Sequence, residues 1–197
     1  MSDDEVPELP EKSNKKIALF ITVLALMLAL AELGAKSAQT EAIINTVSAS
    51  DSWAFYQAKS IRQTTFRTAA DALDASLAAQ TSAPASEQAK KLVADWRSTA
   101  DRYESDPAKG EGKKELAERA QGFEHHRDSA IEHYHVYEIA GVILQISVVL
   151  ASTSVVTGIA LFVWLASIGG VLGFALTLIG LFSPALIHPV LALLGGH

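Results

Sequence analysis

The chain has 197 residues, 49% of them hydrophobic, a net charge of -6 and no cysteine. Without cysteine there is no disulfide framework, thiolate metal site or cysteine nucleophile, and the mild charge, mixed in sign, gives no basic footprint for nucleic acid. The apolar residues lie in blocks near the two ends, whereas 13 of the 16 Lys and Arg fall between Lys36 and Glu138, which excludes an ordinary globular distribution.

Residues 1–14 read as a disordered acidic tail: Asp3, Asp4, Glu5, Glu8 and Glu11 are interrupted by Pro7 and Pro10, with little to bury. From Ile17 to Leu33 the only polar residues are Thr22 and Glu32. A hydrocarbon layer of roughly 30 Å needs about 20 residues of apolar helix, so residues 15–35 are predicted to be a first transmembrane helix, with Lys15, Lys16 and Lys36 reaching the two interfaces. No turn signal follows Leu33, so this block reads as an uncleaved anchor rather than a secretory leader. Glu32 is placed as an interfacial partner of Lys36.

Residues 36–138 are predicted to form an extramembrane antiparallel helical hairpin, coiled-coil-like, with helices over 36–80, 84–105 and 113–138. Beyond the first span Pro is absent until Pro84, so the first helix is expected to continue from the membrane to about Gln80, roughly 65 Å outward at 1.5 Å per residue. Its predicted seam is Ile44, Val47, Asp51, Ala54, Ala58, Ile61, Thr65, Thr68 and Ala72, spaced by three and four. Pro84 suits the first turn of a short middle helix that caps the hairpin. Asp106, Pro107, Gly110 and Gly112 then mark a loop. From Lys113 the period returns as Leu116, Ala120, Phe123, Arg127, Ala130, Tyr134, Tyr137, Gly141, Leu144 and Val148, in register across the expected membrane boundary near Glu138.

No Lys, Arg, Asp, Glu or His occurs from Ile139 to Phe182. Residues 139–157 and 159–182 are therefore predicted as the second and third transmembrane helices, with Gly158 in the turn between them. Gly169 and Gly173 form a small-xxx-small pair suited to helix contact. Residues 184–197 are apolar and split by Pro189, too short to span and suited to the interface.

Two polar clusters are candidates for chemistry. Four of the six histidines gather with carboxylates from Glu124 to His135, and Glu132 and His135 form a Glu-x-x-His pair, the spacing by which carboxylate-bridged dimetal bundles present ligands. With Glu41 at a similar height on the outgoing helix, Glu41, Glu132 and His135 are a candidate metal site, competing with a plain solvated face or a pH-sensing one. Around Asp51, the aromatic residues Trp53, Phe55 and Tyr56 cover a wide arc beside Lys59 and Arg62. Trp53, Phe55, Tyr56 and Arg62, with Gly169 and Gly173, are the candidate interaction residues, competing with aromatic packing inside the hairpin, Lys59 or Arg62 over a ring, and with plain helix packing at the glycines. No phosphate loop or nucleophile elbow is present, so no catalytic residue, cofactor or enzyme activity is expected.

Three segments resemble a family of bacterial membrane proteins called domain of unknown function 4337: Ala49 to Arg62, Glu124 to Asp128, and Leu144 to Ser152. The resemblance implies a membrane protein but no activity. The expected function is a homo-oligomeric membrane-anchored helical scaffold or interaction protein in the lipid bilayer of the bacterial inner membrane, its hairpin periplasmic, joined by copies of itself and open to a further membrane protein partner, with no nucleic acid. An oligomeric channel or transporter accessory subunit, whose spans would line a conduit, and a metal-binding protein are the alternatives.

Overall fold

A computed structural model describes residues 11–79 and 87–182. The expected acidic tail, the break at Pro84 and the apolar segment from residue 184 onward lie wholly or mainly outside the described residues. Those described form four helices and no strand: α1, Glu11–Ala79; α2, Glu87–Glu104; α3, Lys113–Thr157; and α4, Ala160–Phe182. Three of them, α1, α3 and α4, contain stretches long and apolar enough to cross a membrane.

Both long helices run on as expected, but the bounds at residues 35/36 and 138/139 that set the hairpin apart from the spans mark no break and need correction. α1 is one helix of 69 residues, with no break at residue 35. α3 likewise passes residue 138 uninterrupted. Among the described residues the compact units divide elsewhere, into 11–42 with 128–182 and 43–79 with 87–127, so each of the two long helices serves both units.

In the first unit, the opening part of α1, the closing part of α3 and α4 pack around Leu24, Ala31, Ala140, Leu144, Ala151 and Ala166. Glycines on α4 permit the close approach. A Cβ at Gly170 would lie 2.6 Å from Leu24 Cδ2, and one at Gly173 would lie 2.9 Å from Leu144 Cδ2 and 3.3 Å from the Ala140 carbonyl. At the α3–α4 turn Gly158 has φ of 69°, a left-handed conformation that costs glycine nothing, and its N–H donates to the Ser154 carbonyl at 2.9 Å.

In the second unit, α2 lies antiparallel along the later part of α1 instead of capping it. Arg97 binds Asp71 and Asp74 at 3.1 and 2.9 Å, Asp101 faces Arg67 at 3.7 Å, and Phe66 meets Tyr103. α3 is also antiparallel to α1, from Lys113 near Gln63 to Glu124 near Trp53. The arm opposite α1 is therefore built from two helices joined by the loop at Ser105 to Gly112. Glu115 clamps this loop, accepting from the Ser105 hydroxyl at 2.6 Å and the Asp106 N–H at 3.3 Å. These bonds, that from Ser105 first, hold the Glu115 carboxyl below its ordinary range.

The seam of α1 also differs from the predicted one. The covered stripe is Ala38, Ala42, Asn45, Ala49, Ser52, Tyr56, Lys59, Gln63, Phe66, Ala70 and Leu73, buried or half-buried throughout and spaced by three and four. The predicted stripe from Ile44 to Ala72 is exposed at all nine positions. In heptad terms the covered residues are a and d, and the predicted ones c and f, on the far side of the helix. The stripe on α3, by contrast, is buried or half-buried at every predicted position from Leu116 to Val148.

Candidate functional site

The most concentrated chemistry in the second unit surrounds Gln63. It occupies a core position on α1 and is almost fully buried, so its amide must find partners. The side-chain NH2 donates to the Ala100 carbonyl at 3.1 Å and to Glu104 Oε2 at 2.8 Å, while its oxygen accepts from Lys113 Nζ at 2.9 Å. Lys113 Nζ also lies 3.3 Å from Glu104 Oε2. One amide thus fixes the C-terminal end of α2 and the N-terminal end of α3 at a single level of α1. The hydrogen bond from Gln63, then that from Lys113, holds the Glu104 carboxyl below its usual range.

The aromatic cluster adjoins this hub. Trp53 is half-buried, its indole N–H donating to Glu124 Oε1 at 2.9 Å, and its ring meets Tyr56 edge-on at 5.5 Å. Lys113 Nζ sits 5.4 Å from the centre of the Tyr56 ring, a cation–π contact. Trp53 and Tyr56 are thereby engaged within the unit.

Phe55 and Arg62 face outward. With Ala58, Lys59, Glu111, Leu116 and Arg119 they line a cavity of about 380 Å³. Lys59 is 3.5 Å from Glu111 and 5.4 Å from the Tyr103 ring centre, and Arg119 donates to the Gly110 carbonyl at 3.0 Å. The sequence pattern marked Phe55 and Arg62 but missed Gln63, Glu104 and Lys113. Gln63 has a readable signal only after the stripe through Ala49, Tyr56 and Ala70 is known, because it is an amide seated deep among those core positions.

Glu41, Glu132 and His135 do not assemble as a metal centre: among the described residues no three His, Cys, Asp or Glu side chains come together to hold an ion. His135 Nδ1 lies 3.6 Å from Glu138 instead. The neighbouring Tyr134 donates to Glu138 at 3.2 Å, and the Glu138 charge, followed by that bond, raises the phenol above its ordinary range. His133 has a different use, with Nδ1 2.8 Å from the Gly180 carbonyl, one of the last carbonyls of α4 that no helical N–H satisfies. Gly169 and Gly173 also find their partners inside the chain, against Ser147 and Leu144 of α3.

No curated protein and no solved structure matches the chain. A family model does, that of the Domain of unknown function (DUF4337), over residues 13–183, and with nearly the whole length matched, the chain belongs to this family.

Proposed function

We propose that the protein is a homo-oligomeric scaffold of the bacterial inner membrane, anchored by the apolar stretches of α1, α3 and α4, with the charged second unit outside the bilayer on the periplasmic side. The membrane reading is supported by the apolar side chains that the first unit leaves uncovered. Leu26, Leu30 and Leu33 on α1, Ile146 on α3, and Val171 and Leu181 on α4 are all more than half exposed. Water would penalise such a continuous surface, whereas lipid covers it without cost. Trp164, 72% exposed in the first turns of α4, suits the interfacial belt that tryptophan prefers.

The observation that carries the oligomeric role is the second stripe on α1. Ile44, Val47 and Ile61 are 59%, 55% and 69% exposed, and with Asp51, Ala54 and Ala58 they repeat by three and four on an exposed face of α1, bordered at Ala58 by the cavity it lines with Leu116 and Arg119. Small residues let a second helix come close, and the branched residues give it something to bury. Because copies inserted in one membrane share their orientation, the matching partner is the same stripe of a second copy, parallel and in register. The glycine face of α4 is excluded as the contact because α1 and α3 already fill it.

Mass measurement of the detergent-solubilised protein tests this reading. The expected result is a multiple of 21.0 kDa that shifts to the single-chain mass on Val47→Glu combined with Ile61→Glu. A strictly single-chain mass for the unaltered protein contradicts it. Cleavage of the Asp106 to Lys114 loop by protease added to spheroplasts, but not by protease confined to the cytoplasm, is the expected result for the orientation.

A further inference from the structure

The first unit contains a groove of about 490 Å³ that none of the packing above uses. Its walls come from α1, α3 and α4, and its chemistry changes along its length. Met27, Leu30 and Leu33 on α1 and Phe174 and Leu178 on α4 form an apolar end, while Glu41 and His133 stand at the other. From Met27 to Glu41 the helix rises about 21 Å at 1.5 Å per residue. That is the depth of one leaflet, half of a bilayer of roughly 40–45 Å including its headgroups. The size falls in the ordinary range of small-molecule sites.

The polar end has a definite sign. The Gly180 carbonyl can only accept, so the 2.8 Å contact requires His133 Nδ1 to carry the proton. In the neutral ring Nε2 is then left with an acceptor lone pair. Glu41 contributes a carboxylate that makes no hydrogen bond or ion pair among the described residues. Two acceptors at headgroup level suit a donor, and the negative charge of one of them, Glu41, favours a headgroup that carries a cation beside its phosphate. We propose that this groove is a site for a phospholipid whose headgroup ends in a primary ammonium, such as phosphatidylethanolamine. One acyl chain lies along Met27, Leu30, Phe174 and Leu178, and the ammonium is held by Glu41 and His133 Nε2. The proposal rests on the reading of α1, α3 and α4 as membrane spans.

Native mass spectrometry of the detergent-released protein, offered equal amounts of phosphatidylethanolamine and phosphatidylglycerol with identical acyl chains, tests it. The expected result is retention of the ethanolamine lipid about tenfold over the glycerol lipid, as one charge-assisted hydrogen bond supplies. Glu41→Gln should remove most of that preference, and Leu30→Trp, or separately Leu178→Trp, should remove retention of both lipids while helical circular dichroism is unchanged. Both leucines are partly exposed, so a bulkier ring enters the groove without breaking the core. Equal retention of the two lipids, or a preference that survives Glu41→Gln, would overturn the proposal. So would retention seen only after residues 183–197 are removed, because the chain's own end would then be the occupant. Resistance of the protein to carbonate extraction from membranes reports on the membrane reading separately, so a failed headgroup preference and a failed anchor are told apart.

Discussion

A buried amide at residue 63 decides where the arm opposite α1 is divided. Gln63 satisfies a carbonyl of α2, the Glu104 carboxylate and the Lys113 ammonium at once. Gln63→Ala leaves those groups facing a void and is expected to destabilise the helical fold by about 1–3 kcal/mol, the cost of stranding buried polar partners; thermal unfolding followed by circular dichroism reads this directly. The same hub makes stability acid-sensitive. The folded-state pKa of Glu104 is lowered from its ordinary value of 4.5, so its contribution is fully present above that value and is lost as the pH falls through the lowered one. The stability difference between the native protein and Glu104→Gln is therefore expected to be constant from neutral pH down to about 5 and to shrink below 4.5. A difference independent of pH would show that the carboxylate contributes no charge-dependent bond.

At the scale of elements, both long helices were legible in the sequence but the covered face of α1 was not, for a physical reason. The α3 stripe holds large residues, Leu116, Phe123, Tyr137 and Leu144, so hydrophobic spacing finds it. The covered stripe of α1 beyond Ala42 begins Asn45, Ala49, Ser52, Tyr56, Lys59 and Gln63, which is less apolar than the exposed Ile44, Val47 and Ile61. Spacing alone therefore selects the wrong side, and only the partners' positions correct it. The glycines give a paired prediction. Gly173→Ala places a methyl against Leu144 and the immovable Ala140 carbonyl and is expected to cost about 1–3 kcal/mol, as overpacking does. Gly122→Ala on α3 meets nothing within 4 Å and is expected to stabilise by about 1 kcal/mol through helix propensity. Melting temperatures in detergent check both, and equal effects would refute the packing assigned to α4.

For the molecule as a whole, the all-helical class and three candidate spans followed from the long uncharged apolar blocks and the three-and-four spacing between them. The division at residues 42 and 127 did not, since it depends on contacts between distant segments rather than on any break in the helices. The candidate site was legible in its aromatic and basic residues, Trp53, Phe55, Tyr56 and Arg62, but not in the polar hub of Gln63, Glu104 and Lys113. What remains is the exposed stripe of α1 and the claim that a second copy covers it. Because the chain has no cysteine, single introduced thiols report on that contact without background. Val47→Cys and Ile61→Cys should each form an intermolecular disulfide on mild oxidation in membranes, since parallel chains in register bring those Cα atoms within the roughly 4.4–6.8 Å a disulfide requires. Ala49→Cys, buried on the opposite face, should not. Absence of a cross-link at both outward positions, or equal cross-linking at residue 49, would contradict the account.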